Sequence, residues 1–332
     1  MRMKSKIFVT CTAILVIVFL FMYTQKKFSY QREYFASAKE PTIFVSIASY
    51  RDDSCNTTIS NMIRNAKFPY RISFGICEQH KPGDAPCVVH DKIALEFPDF
   101  PLEHIRIMKL ESSDAKGPMY ARRLCRKMYR DEDFYLQIDS HMHFASNWDQ
   151  ILVDQMKSLP EKSVLSTYPL EHGDKNLVTN AEIPAFRKPE KGKNGLPIFK
   201  SKKIQNPGAF QRTVCTAGGF CLLSKSATSL ELWPYLPNLF QGEESILAAM
   251  LFTNGFDVFC PVVNVVTHKY GRKSENKFWD DKPEEFWEIQ KRSEKSARRL
   301  LCLDFPIIEP GSDKISLGTV RDVDSFWKNV YM

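Results

Sequence analysis

The segment Leu136-Gln137-Ile138-Asp139-Ser140-His141-Met142-His143 concentrates more potential chemistry than any other in the sequence. An apolar run delivers a carboxylate and an imidazole two residues apart at its end. Side chains at i and i+2 lie on one side of extended backbone, so Asp139 and His141 can converge on one divalent cation. That donor pair suits an ion such as Mn2+ and leaves positions for phosphate oxygens. The spacing alone fits a strand-end turn capped by Asp139 equally well. His143 shares the same face, but same-side positions lie about 6.6–6.8 Å apart along a strand. In extended chain it would sit roughly 13 Å from Asp139, too far to share an ion with bonds of about 2.0–2.2 Å. Tyr120–Tyr129 is a basic helical pattern. Its Arg122 could grip a diphosphate bidentately, or face solvent beside Arg123, Arg126, Lys127 and Arg130. Glu243 and Glu244 follow Gly242 at the start of another helical pattern, where acids favour the helix dipole without further purpose. Adjacent helix positions diverge by about 100°, poor geometry for the paired carboxylates of a glycoside hydrolase.

These residues need a scaffold, and the pattern around them is α/β. Thr42–Ala48 is β-branched and apolar, a strand candidate. Further candidates are Arg71–Cys77, Ile105–Leu110, Phe134–Ile138, Lys162–Thr167 and Val258–Val266. Helical patterns fall between them, up to Ala66, over Tyr120–Tyr129 and over Gly242–Phe252. Strands alternating with helices indicate a sheet covered by helices. In such sheets ligands bind at the carboxyl ends of strands, where Asp139 is expected. Residues 186–204 break the rhythm with six Lys and one Arg among Pro and Gly, and read as a mobile surface loop. Asn276–Leu303 is charged and helical by pattern.

The 332 residues carry a net charge of +7, but residues 1–40 hold seven Lys/Arg against two acids. The remainder is nearly neutral, which disfavours nucleic acid as a partner. From Ile7 to Gln25 there are nineteen residues without a charge. As a helix they span roughly 28 Å, about the hydrocarbon thickness. Bulky Phe21, Met22 and Tyr23 replace the small residues of a cleavage site, so the run reads as an uncleaved signal-anchor. Residues 1–6 then form a cytoplasmic tail, 7–25 the membrane helix and 26–40 a short stem. A sequon at Asn56-Thr57-Thr58 and eight cysteines outside the apolar run allow a lumenal body with disulfides. The cysteines fit buried small hydrophobes equally well.

Several short motifs then agree in order. They are Ile43-Phe44-Val45-Ser46-Ile47-Ala48-Ser49-Tyr50-Arg51-Asp52, Lys116-Gly117-Pro118-Met119-Tyr120-Ala121-Arg122, Gln137-Ile138-Asp139-Ser140-His141, Phe240-Gln241-Gly242-Glu243-Glu244, Thr253-Asn254-Gly255-Phe256-Asp257 and His268-Lys269-Tyr270. Together they resemble the polypeptide α-N-acetylglucosaminyltransferases, a family acting on hydroxyproline of a cytosolic ubiquitin-ligase subunit and in Golgi mucin-type glycosylation. Ala217-Gly218-Gly219-Phe220 and Gly242-Glu243-Glu244 are more distantly similar to the polypeptide N-acetylgalactosaminyltransferases.

The resemblance covers roughly residues 41–275 and leaves 276–332 as a C-terminal helical extension. It implies a GT-A fold, a Rossmann-like mixed sheet flanked by helices. It implies retaining transfer of N-acetylglucosamine from UDP-GlcNAc to a polypeptide hydroxyl, on Ser/Thr or hydroxyproline. Mn2+ or another divalent cation would be held by Asp139, His141 and His268, although His268 by its type alone could be a core histidine. Ser49, Arg51 and Asp52 would hold uracil and ribose, with Arg122, Asp139, Gly218 and Gly219 also on the donor. Glu243 and Glu244 would lie beside sugar and acceptor. The implied location is a Golgi or ER membrane with a lumenal catalytic domain. The sequence departs from the family at His143, where Arg is more usual, and in residues 186–204. An inactive sugar- or protein-binding module and a transferase for another UDP-sugar are the alternatives. A metal-dependent hydrolase would need more convergent Asp and His residues than the sequence offers.

Overall fold

In the computed structural model, residues 40–271, 277–280, 282–303 and 316–331 are described. The proposed tail, membrane helix and nearly all of the stem lie outside them. Among the described residues no helix is long and apolar enough to cross a membrane. The elements run β1 (Ile43–Tyr50), α1 (Cys55–Asn65), β2 (Ile72–His80), α2 (His90–Glu96), β3 (Ile105–Glu111), α3 (Pro118–Arg126), β4 (Phe134–Asp139) and β5 (Met142–Phe144). Then come α4 (Trp148–Lys157), β6 (Ser163–Ser166), β7 (Leu170–Glu171), β8 (Glu182–Lys191), β9 (Pro197–Gln205), β10 (Gln211–Thr213) and β11 (Phe220–Ser224). Last are α5 (Glu243–Thr253), β12 (Asp257–Cys260), β13 (Val266–His268), α6 (Glu284–Leu300) and α7 (Val323–Tyr331).

Eight strands form one mixed sheet in the order β10-β12-β6-β11-β4-β1-β2-β3. Strands β3, β2, β1 and β4 are mutually parallel, whereas β11 runs antiparallel to both β4 and β6. The chain winds from β1 to β2 and β3 on one side and returns to β4 on the other. The carboxyl ends of β1 and β4 therefore border a topological switch point, the usual ligand crevice of such sheets. Both faces of β1 are covered. Ile43, Val45 and Ile47 point into a core with Ile59, Met62, Trp148 and Leu152, and Phe44 points into a second core with Tyr135, Ile246 and Phe326. That two-sided burial explains its unbroken apolar run. Helix α5 is buried at every position from Ser245 to Thr253, which its apolar composition permits all round.

Three expectations change. Residues 186–204 are no loop but lie in a long β8–β9 hairpin, an antiparallel pair with a bulge between Arg187 and Glu190. Its lysines are exposed except Lys200, which is half-buried, while Pro189 and Phe199 on the strands and Leu196 in the turn are buried. The Val258–Val266 run splits into β12, in the large sheet, and β13, in a second sheet of order β5-β13-β7. Of the eight cysteines, Cys55 and Cys87 are disulfide-bonded and the other six are free. Burial pushes the Cys125 thiol up to about 11 and Cys215 and Cys221 up to about 12, so these behave as small hydrophobes.

Asp149 on α4 is fully buried and anchors the start of β2. Its carboxylate accepts from the backbone N–H groups of Lys67 and Phe68 at 2.7 and 3.0 Å and from Arg71 Nε at 3.1 Å. The Arg71 side chain is 1% exposed. Removing the acid takes the carboxylate from a buried guanidinium and the acceptor from two backbone N–H groups. Asp149→Ala is expected to destabilise the fold by about 3–5 kcal/mol. A urea titration checks this through a lowered midpoint with unchanged slope.

Candidate active site

Strand β4 delivers Asp139 to the switch point and then leaves the large sheet. The backbone bends at Ser140 and His141 and re-enters extended geometry as β5 in the small sheet. The extended run assumed from the sequence is therefore broken between Asp139 and His143. Thr58, on α1, secures this bend. Its hydroxyl donates to Ser140 O at 2.8 Å and accepts from Met142 N–H at 2.9 Å. The sequon threonine is thus buried and structural, and Asn56 Oδ1 accepts from Val89 N–H. Strand β13 pairs with β5, placing His268 opposite Met142, and Lys269 N–H bonds to His141 O.

Two histidines 127 residues apart are thereby brought face to face. His141 Nε2 lies 2.9 Å from His268 Nε2, and His268 Nε2 lies 3.3 Å from Asp139 Oδ2. Three ligand atoms of Asp139, His141 and His268 fall within 4.8 Å of one another. Ligands bonded at about 2.0–2.2 Å and right angles to one ion would be separated by roughly 3 Å. Asp52 sets the tautomer. Its Oδ2 accepts from His141 Nδ1 at 2.7 Å and from Ser140 Oγ at 2.6 Å. With the proton on Nδ1, the His141 lone pair lies on Nε2, aimed at the cluster. His268 Nδ1 is buried without a hydrogen-bond partner, and the ring is held by Tyr270 at 4.2 Å between centroids. Two facing imidazole nitrogens beside a carboxylate fit a divalent cation.

Arg122, on α3, lies behind Asp139. Nη2 donates to Asp139 Oδ1 at 2.9 Å and Nη1 to Glu243 Oε1 at 2.6 Å, with 3% of the side chain exposed. Both terminal nitrogens are thus engaged by carboxylates rather than presented to a diphosphate. Burial would raise the Asp139 carboxyl, but the His268 hydrogen bond and the Arg122 charge hold it well below the usual range. Burial raises Glu243 against the pull of Arg122. Glu244 is pushed up to about 7, chiefly by burial. Its two oxygens accept from Tyr168 Oη and from Gly218 N–H, the latter at 2.7 Å.

Gly218 and Gly219 let these acids close in. A Cβ on Gly218 would lie 2.7 Å from Glu243 Oε1 and 3.5 Å from Glu244 Oε1, and one on Gly219 would lie 2.7 Å from Asp139 Oδ2. The Glu243 and Glu244 carboxylates therefore converge on one glycine, contrary to the divergence expected of adjacent helix positions.

A cavity of about 390 Å³ opens over this cluster. Asp139, His141, His268, Arg122, Gly218, Gly219, Glu243 and Glu244 all line it. Ser49, Arg51 and Asp52 do not. Ser49 is buried with its carbonyl accepting from Gln79, Arg51 pairs with Asp84 at 2.8 Å, and Asp52 stands behind His141. Their side chains follow a strand that turns away from the cavity, and Tyr50 and Gln79 line it in their place. His143 is outside it, stacked on His172 at 4.2 Å. The sequence reading also missed Tyr168, Phe240, Tyr270, Phe278 and Trp279, which form an aromatic wall. Two of them carried a signal: Tyr270 lies two residues beyond His268 in extended chain, and Phe240 heads the Phe240–Glu244 motif.

The model of the family Glycosyltransferase (GlcNAc) matches residues 42–97 and 92–330. No curated protein matches the sequence. Among solved structures, GalNAc-T7 with UDP, GalNAc and Mn2+ aligns at a TM-score of 0.53 and 13% identity, over 78% of this chain and 48% of that one. The chain thus spans about half the length of that structure. TarS residues 1–349 of S. aureus, with UDP-GlcNAc, aligns at 0.47 and 11% identity over 78% and 70% of the two chains. The mannosyltransferase PcManGT of Pyrobaculum calidifontis, with GDP-Man and Mn2+, aligns at 0.44 and 12% over the same shares. With the family model spanning the sheet, the histidine cluster and the C-terminal helices, the chain belongs to the GlcNAc glycosyltransferase family and carries the mixed α/β sheet of GT-A transferases.

Proposed function

We propose that the protein transfers N-acetylglucosamine from UDP-GlcNAc to a polypeptide hydroxyl, on Ser/Thr or hydroxyproline, with retention and with Mn2+ or a similar cation. The observation that carries this reading is the Asp139–His141–His268 cluster at the foot of the switch-point cavity. The family supports the sugar, and GalNAc-T7 holding UDP and Mn2+ on a similar fold supports the nucleotide and the ion. A Golgi or ER lumenal body behind one N-terminal anchor is supported by the apolar run 7–25 and by the Cys55–Cys87 disulfide.

A bound divalent cation supplies charge compensation for the departing diphosphate. The chain's own residues do the rest. Asp52 fixes the His141 ring, and Arg122 keeps Asp139 and Glu243 beside each other. Tyr50 and Phe278 offer apolar faces for uracil at the β1–β2 end. Glu244, oriented by Tyr168 and Gly218 N–H, accepts a hydrogen bond from a sugar or acceptor hydroxyl. The acceptor proton passes to the departing phosphate oxygen on the same sugar face, so no protein nucleophile is required.

The reading is tested by offering UDP-GlcNAc, UDP-GalNAc and UDP-glucose with Thr and hydroxyproline peptides, and detecting sugar transfer by mass. UDP-GlcNAc is expected to be preferred, with activity lost in EDTA and restored by Mn2+. Asp139→Ala should lower transfer by about 100-fold or more, and His143→Ala should leave metal dependence unchanged. Full activity in excess EDTA removes the metal assignment.

Asp52→Asn keeps the shape but weakens the acceptor for His141 Nδ1. It should raise the Mn2+ concentration for half-maximal activity by about 10–100-fold, with the saturated rate changing less. Equal Mn2+ titrations for variant and wild type would sink this role.

Glu244 accepts hydrogen bonds best when ionised, and its carboxyl lies near 7. Activity should therefore rise about tenfold between pH 6 and 8. In Glu244→Gln the residual activity should lose that inflection. A profile with the same inflection in the variant assigns it to another group.

A further inference from the structure

The β8–β9 hairpin carries far more positive charge than the fold requires. Residues 186–204 hold six Lys and one Arg against one acid, Glu190. Arg187 and Lys200 lie directly opposite each other across the strands, an unfavourable like-charge pairing. Glu190 bridges both, at 2.8 and 3.5 Å. Lys203 is paired with Asp174. Lys188, Lys191, Lys193 and Lys202 have no acidic partner among the described residues, and all four are exposed. Lys188 and Lys202 border a separate cavity of about 460 Å³, together with Arg187 and with Arg212 from β10, which are paired with Glu190 and Asp257.

The hairpin that borders this cavity also packs against elements of the active site. The hairpin packs on α5, which carries Glu243 and Glu244. Ser245 Oγ donates to Pro197 O at 2.9 Å and Asn194 Nδ2 to Gln241 O at 3.2 Å. Tyr168 Oη, which orients Glu244, also lies 3.1 Å from Phe199 O. Gly218, on the active cavity, follows Arg212, on the basic cavity, by only six positions. They span at most about 22 Å, a distance that six or seven extended acceptor residues also reach.

We infer that the basic β8–β9 cavity docks an acidic stretch of the acceptor polypeptide, some five to seven residues from the hydroxyl that receives the sugar. This rests on the polypeptide-acceptor reading. Uncompensated cations beside a cavity attract an anionic segment, set its register and speed its arrival. An acidic chain is favoured because the cations lie along a strand pair and beside the site rather than on a flat outward face.

The test uses the full chain in detergent with two fluorescein-labelled peptides, each with a central Thr. One carries three Glu residues five to seven positions away on both sides, and the other carries Gln there. Anisotropy should show the Glu peptide binding at least tenfold tighter at about 50 mM salt, with the difference shrinking as salt screens it. The double variant Lys188→Glu/Lys202→Glu should abolish the preference while UDP-GlcNAc hydrolysis is unchanged. Equal binding of the two peptides, or a preference that survives the double variant, overturns the inference. So does retention of phosphatidylserine vesicles through these lysines in place of the Glu peptide. Charge-dependent binding without transfer to any peptide upholds the docking site and fails the acceptor reading instead.

Discussion

A guanidinium almost shut off from water holds the centre of this molecule together. Arg122 joins α3 to Asp139 at the end of β4 and to Glu243 at the start of α5, so elements separated by over a hundred residues meet at one cation. A buried unpaired guanidinium would be prohibitive, and two carboxylates offset the loss of hydration. The arrangement leaves an excess of acid. Asp139, Glu243 and, above its midpoint, Glu244 face one buried arginine, with Lys277 also lining the cavity. A diphosphate entering such a cavity meets like charge where screening is weak. A divalent ion at Asp139, His141 and His268 reverses the local sign. On the proposed function, the need for the ion follows from Arg122 being committed to the carboxylates.

The second constraint is the small sheet. Nothing in the large sheet could bring His268 to His141. Strand β13 does so by pairing with β5 immediately after the bend that β4 makes at Ser140 and His141. That bend hangs on α1 through Thr58 and on the loop after β1 through Asp52. Carboxylate, imidazole and bend therefore form one hydrogen-bonded unit. Its parts lie 80 to 90 residues apart, since Asp52 and Thr58 both precede β2 while their partners follow β4. Fixing the Nδ1 proton of His141 leaves its Nε2 lone pair facing His268 at 2.9 Å, which on the proposed function makes it available to a cation.

What was legible in the sequence follows from burial. Strands β1, β2 and β4 are covered on both faces or nearly so, and their apolar runs announced them. Asp139 and His141 were legible because they stand at the end of such a run. The hairpin was not, because β8 and β9 pair chiefly with each other and expose most of their lysines, so composition outweighed the strand pattern. The aromatic wall was not legible either. Phe278 and Trp279 reach the cavity from beyond β13, and no local period marks two aromatics that pack across the fold. Ser49, Arg51 and Asp52, expected on uracil and ribose, do not line the cavity. Proximity in sequence to a site strand does not say which side chains face the cavity, and here Tyr50 lines it. The membrane anchor lies outside the described residues and stays an inference from its nineteen uncharged residues.

The glutamate pair shows why spacing alone misjudged the site. A separation of about 100° holds for backbone directions inside a regular helix. Glu243 is the first residue of α5 and follows Gly242, whose φ of 110° sets the entry angle. Long side chains at a helix start are free to curl around that end. Here Arg122 draws Glu243 from one side while Gly218 N–H and Tyr168 draw Glu244 from the other. Both carboxylates then meet at Gly218, a position only glycine can fill at these distances. The helix N-terminus favours their negative charge, and burial opposes it. The outcome differs by partner. Burial raises both carboxyls; Glu243 has an arginine to oppose it, whereas Glu244 has two neutral donors and is pushed up to about 7. Two identical residues, adjacent in sequence, thereby acquire different chemistry from what lies across from each.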